Sequence, residues 1–345
     1  MRTIAVFFVL LIVGIGAVPL YAHAHEVYVL SPSEIAHGLE TPAFSPLDVI
    51  VTNLGDFLFW AISAVLLVVF VFTLSISHRI EQALDPWLMR LKKYAPGIAR
   101  VTIGLSFFTA AYYQAIFGPE LSLSLLFGSG APIVTALLIV IGLLFIFDRY
   151  TRGAALVGLV LFALAAVHHG SYMLTYTNYI GGLVVLLFLG TGTFGPFHGF
   201  IKGIASRIAP YRFLIMRVTF GISLLYASFF AKFLHNQLAL QVASLPLAGF
   251  SHSLAYYLGF DPQLLVVGAG IVEIIIALFF IFGIEIRFTS FFLEFWLALS
   301  LLYFGEAVWP HLILIGIPIA FIFHGYDRYS IEGYFLKEGS REPVL

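Results

Sequence analysis

Four ionisable side chains in the C-terminal third of the chain stand in or at the edge of long apolar runs: Lys232, Glu273, Glu294 and Glu306. A lone charge in hydrocarbon is costly, so such groups pair, face a cavity or give up their charge. At 1.5 Å per helical residue, Lys232 lies about 22 Å beyond Arg217 and Glu273 about 21 Å before Arg287. The two levels agree, so the spacing predicts a Lys232–Glu273 pair across neighbouring helices. Glu294 lies about 10 Å past Arg287, where no basic residue shares its level. It is expected to be protonated or to face a polar cavity. These three groups could position a polar head group or relay protons to it. They could equally be a bond that ties helices together, with Lys232 reaching outward along its stem.

The 11 histidines offer a second kind of chemistry. His25, His235 and His311, with Glu306 near the last, form a candidate metal set, because imidazole and carboxylate suit copper or zinc. No pair has a spacing such as His-x-x-x-His, and ordinary interfacial histidine is the competing reading. The chain has no cysteine, which excludes disulfides, thiol catalysis and Cys-ligated iron–sulfur clusters. No dinucleotide-binding glycine motif, P-loop or nucleophile elbow occurs in a fitting context.

The elements that must carry these groups follow from composition. Of 345 residues, 61% are hydrophobic and 10% charged, against roughly 25% charged in soluble domains. That excludes a soluble domain and a nucleic-acid binder, and it makes the lipid bilayer the first partner. Nine apolar runs are long enough to cross, or nearly cross, a bilayer, near 57–77, 101–117, 131–147, 154–169, 179–194, 217–234, 263–283, 288–304 and 309–324. Residues 1–24 read as a signal peptide, with Arg2, an apolar stretch from Ile4 to Val18 and a small-x-small site at Ala22-His23-Ala24.

Of the 17 Lys and Arg residues, all but Arg2 and Lys232 fall in alternate connections or the tail. The positive-inside rule then makes that face cytoplasmic and puts the acidic segment 25–56 outside a cell (inner or plasma) membrane. The linker 78–99 shows Ile80, Leu84, Trp87, Leu88 and Leu91 at helical spacing opposite basic residues, and Asp85-Pro86 predicts a fresh helix start within it. Tyr112, Tyr113, Tyr172, Tyr176 and Tyr179 are expected to form an outer aromatic belt.

The sequence also repeats itself. Arg100-Val101-Thr102-Ile103-Gly104 returns as Arg217-Val218-Thr219-Phe220-Gly221; Arg152 then matches Arg287 and Gly181 matches Gly316. Each copy holds four spans starting on the same side, so the repeats are parallel. The fold class predicted is all-α and polytopic: an anchor helix (57–77), a linker (78–99), a first four-helix unit (100–199), a second linker (200–216), a second four-helix unit (217–325) and a tail (326–345). At the offsets of Lys232, Glu273, Glu294 and Glu306 the first unit has Ala115, Leu138, Leu159 and Ser171. The ionisable residues belong to the second unit alone.

With Arg217 to Gly221 followed by Ala231-Lys232-Phe233, the second unit resembles the DoxX-like membrane proteins. Their first helix opens with an Arg, has a Gly a few residues later and closes with a Lys. Glu273 and Gly316 are similar too. The resemblance covers about 217–325, and residues 100–195 look like a degenerate unit that keeps Arg100 and Gly104 without the Lys. It implies a subunit or partner of a quinone-linked redox system. The matching positions are Arg217, Gly221, Lys232 and Glu273. Taken together with the embedded charges, Lys232, Glu273 and Glu294 are the candidate catalytic residues, and Arg217, Gly221 and Tyr226 the candidate cofactor contacts. The cofactor expected is a quinone, with copper or zinc second. The further partner expected is a membrane or extracytoplasmic redox protein. A proton-coupled transporter and a scaffold or metal-handling protein are the rival readings.

Overall fold

A computed structural model describes residues 30, 32–40, 42–192, 198–243, 261–304, 308–327 and 329–335. The signal segment, His25, Glu306 and the end of the tail lie outside the described residues. The described residues are helical: α1 (Pro32–Glu40), α2 (Pro46–Asn53), α3 (Phe57–Leu91), α4 (Ala95–Tyr112), α5 (Leu123–Phe127), α6 (Ala131–Ile146), α7 (Thr151–His169), α8 (Thr177–Leu189), α9 (His198–Ile208), α10 (Arg212–Phe229), α11 (Asn236–Ala243), α12 (Pro262–Phe282), α13 (Ile286–Phe304), α14 (Val308–His324) and α15 (Ile331–Phe335). Five stretches are long and apolar enough to cross a membrane by length and composition, and α14 is a shorter apolar helix. The protein is an all-α polytopic membrane protein.

Helices α4, α6, α7 and α8 make the first unit; α10, α12, α13 and α14 make the second. The two units pack alike. In each, the first helix lies along the second and the third along the fourth, while the fourth helix of each unit packs on the first helix of the other. The repeated motif explains this exchange. Arg100 Nη1 donates to the Phe145 and Ile146 carbonyls at the end of α6, and Arg217 Nη1 donates to those of Phe280 and Ile281 at the end of α12. Gly104 lies on the backbone of Gly142 and Gly221 on that of Ala277, each leaving no room for a Cβ. Thr102 of the first unit sits against Gly316 of the second, and Thr219 sits against Gly181 of the first. Small residues let helices approach closely where packing rather than hydrophobicity holds them. Farther on, Arg152 Nη2 donates to Phe188 O at 3.2 Å and Arg287 Nε to Ile322 O at 2.9 Å, so each arginine caps its unit's last helix. One apolar core runs through both units.

Two expectations are corrected. No helix starts afresh at Asp85-Pro86: α3 is one helix of 35 residues, with Pro86 inside it. Ser77, Glu81 and Leu88 are buried on one side of it, while Ile80, Leu84 and Trp87 are exposed. The packing of that buried stripe carries the helix through the proline. The aromatic belt also divides. Tyr112 and Tyr113 are exposed, but Tyr176 and Tyr179 are buried. The 3₁₀ segment Gly170–Tyr176 turns its tyrosines inward, onto Glu120.

Candidate functional site

Lys232 sits in a π-helical turn, Phe230–Leu234, that continues α10. His235 N–H closes it on Phe230 O at 2.8 Å, five residues back. Such turns widen a helix by one residue and re-aim its side chains, often at functional sites. The turn rests on α12 at Gly270, where a Cβ would lie 2.6 Å from the Phe233 ring and 3.1 Å from Lys232 Cβ. Ser228 Oγ donates to Gly270 O at 3.1 Å in the same contact. Three residues on, Glu273 meets the lysine: Nζ to Oε2 is 2.9 Å, with the lysine buried and the carboxylate half-buried. The pair expected from level-matching is therefore formed. Its attraction offsets the desolvation of both groups only because the geometry is close.

Glu294 does not bond to this pair. It makes no hydrogen bond or ion pair with either partner, and its Oε1 is buried without a hydrogen-bond partner among the described residues. What is joined directly is therefore a two-residue ion pair, with Glu294 on α13 making no hydrogen bond to it.

Tyr226 lines a shallow apolar groove of about 310 Å³ with Ile222, Leu225 and Phe229 along α10. Phe229 stacks on Phe233, with centroids 5.8 Å apart, so the groove reaches the π turn. Arg217 and Gly221 lie towards the other end of α10. Arg217 is 1% exposed and stands 4.0 Å from Asp327 as well as capping α12. Both residues hold helices together at these positions.

Of the metal candidates, His235 and His311 are described, and they join no group of three or more donors among the described residues. His311 is fully buried, and His235 packs its ring on Phe230 at 4.5 Å. The following residue, Asn236, is also fully buried. Its side chain accepts from Ala43 N at 2.8 Å and donates to Phe44 O at 2.7 Å. Leu30 joins Leu238 and Val242 in a small cluster with Ile35 and Phe230. The acidic N-terminal segment thus clamps onto the second unit beside Lys232.

One group was missed in the sequence. Glu120, in the connection after α4, accepts hydrogen bonds from the Tyr172 and Tyr176 hydroxyls. Burial pushes its carboxyl above the usual range, and the Tyr176 and Tyr172 hydroxyls pull it part of the way back. A lone carboxylate in a loop 50 residues or more from its partners leaves no spacing to read. No protein-family model, curated protein or solved structure matches this chain.

Proposed function

We propose that this protein is a DoxX-like membrane subunit of a quinone-linked redox system, with its Arg-rich end in the cytoplasm and residues 25–56 outside. The observation that carries this reading is the ion pair between buried Lys232, on a π turn, and half-buried Glu273 of α12, beside an apolar groove. The groove has carbon walls at Ile222, Leu225, Tyr226 and Phe229, which suit a quinone ring or isoprenoid tail. Lys232 would donate a hydrogen bond to a quinone oxygen, and Glu273 would hold the ammonium in place. Reduction of a quinone takes two electrons and two protons; the electrons would come from a partner redox protein. The test is a titration of short-chain quinone into protein purified in mild detergent and freed of co-purifying lipid. Saturable binding is expected, weakened about tenfold or more in Glu273→Gln, as loss of a charge-assisted contact does. Absence of binding to the wild type sinks this reading.

A proton-coupled carrier is the second reading. Glu294 favours it, as a half-buried carboxyl in an apolar helix whose buried Oε1 has no partner among the described residues. Solute flux into liposomes that stops in Glu294→Gln would support it over the first.

A further inference from the structure

A second cluster of charge lies at the Arg-rich end, away from Lys232. It joins three parts of the chain that are far apart in sequence. Glu81 comes from α3, Glu285 from the turn between α12 and α13, and Glu332 from α15 in the tail. One carboxylate oxygen from each lies within 4.8 Å of the other two.

Each carboxylate is held by a different neighbour. Arg287 Nη1 donates to Glu81 Oε1 at 2.9 Å, Ser77 Oγ to Glu285 Oε2 at 3.0 Å, and Ile286 N to Glu332 Oε2 at 3.0 Å. Glu332 N in turn donates to Gly283 O at 3.1 Å, which docks the tail helix on the same turn. Glu332 is 8% exposed, and its Oε1 is buried with no hydrogen-bond partner among the described residues. Burial, and after it the neighbouring Glu81 carboxylate, hold the Glu332 carboxyl well above the usual range.

Three carboxylates packed this closely repel one another, and Arg287 brings one positive charge to them. Asp327, the next acid along the tail, faces Arg217 instead. The cluster therefore gathers three acids beside an oxygen atom, Glu332 Oε1, that nothing among the described residues satisfies. The donor set is oxygen only, with neither histidine nor cysteine in the group. Hard divalent cations take such ligands, whereas zinc and copper prefer nitrogen or sulfur.

We propose that Glu81, Glu285 and Glu332 bind a hard divalent cation of the Mg²⁺, Ca²⁺ or Mn²⁺ class. Bound there, it staples the anchor helix and the tail to the second unit. This site is independent of the quinone reading.

The test uses the full chain in mild detergent, stripped with EDTA and titrated with Mn²⁺ while the free-ion spin-resonance signal is followed. Saturable, stoichiometric binding is expected, together with a higher melting temperature in Mg²⁺ or Ca²⁺. Glu332→Gln keeps an oxygen for Ile286 N and removes the charge, so Mn²⁺ affinity is expected to fall by about tenfold to a hundredfold, as for disturbed metal sites. Asp48→Asn, in the exposed start of α2, is expected to bind like the wild type. Mn²⁺ uptake no greater than that of the detergent alone overturns the proposal, and so does binding unchanged in Glu332→Gln. The wild-type titration decides the matter even if the variant does not fold.

Discussion

The two four-helix units share one framework and differ in what they place inside it. In both, the opening arginine caps the second helix, a glycine lets those helices touch, and a threonine reaches a glycine of the opposite unit. They part company after the first helix. In the first unit α4 stops at Tyr112, and a tight turn pairs Ala115 with Ser122. In the second unit the helix continues into the π turn that carries Lys232. The first unit meets the position of Glu273 with Leu138, which is fully buried. Its own buried carboxylate, Glu120, is held by tyrosine hydroxyls in a connection. The repeated residues carry the packing in both units, while the Lys232–Glu273 pair stands in one.

The largest effect is expected from moving the carboxylate between units. Leu138→Glu buries an acid in the first unit with Ala115 where a lysine would have to stand. A buried charge without its partner costs about 3–5 kcal/mol, so the variant should melt far below the wild type or fail to accumulate. Glu273→Gln takes the carboxylate from Lys232 and should destabilise in the same direction by less, because Glu273 is half-buried. The double variant Lys232→Met/Glu273→Leu removes both charges, and its melting temperature in detergent should return close to the wild-type value. If the double variant regains stability but loses quinone binding, the pair serves function. If it keeps quinone binding, the pair is only a helix tie.

A smaller effect tests the shared framework. Gly316→Ala and Gly181→Ala should each destabilise by about 1–3 kcal/mol, the usual cost of overpacking. The remedies should differ. A Cβ at Gly181 meets Thr219 Oγ1, and its next neighbours are 3.1 Å away, so Thr219→Ala should restore most of the stability. A Cβ at Gly316 lies 2.7 Å from Thr102 Cβ as well as against both its γ atoms, so Thr102→Ala should restore only part. Equal rescue at both sites would mean that the two crossings are more alike than the structure shows.

The framework was legible because its causes are local. Apolar runs predict where the long helices lie, arginines mark their ends, and a rise of 1.5 Å per residue put Lys232 and Glu273 at one level. The places where the reading failed depend on contacts across long stretches of chain. Depth places Glu294 on a level of its own, about 10 Å past Arg287, and says nothing about which way its helix face points. The α3 helix runs through Pro86 because residues some 200 positions away pack on its Ser77 and Glu81 side. For the same reason the cluster of Glu81, Glu285 and Glu332 left no motif, since each acid alone looks like an ordinary member of a charged membrane surface.

The smallest effect concerns Glu120, and it asks whether the first unit's carboxylate is a feature of the fold or a passenger. Burial raises its carboxyl in the folded protein above the unfolded value. Below the unfolded value both states are protonated, and the group has no effect on stability. As pH rises through the unfolded and then the folded value, the unfolded state loses its proton first, and stability declines. Above the folded value the loss is complete. Glu120→Gln keeps an oxygen acceptor for the Tyr172 and Tyr176 hydroxyls and does not titrate. The variant should therefore match the wild type in acid and gain on it steadily towards neutral and alkaline buffer, as read by melting temperature in detergent. A difference that stays flat with pH would show that the tyrosine hydroxyls compensate the ionised carboxylate fully. Glu120 would then be a charge settled by hydrogen bonds alone, the first unit's counterpart to a charge settled by Lys232 in the second.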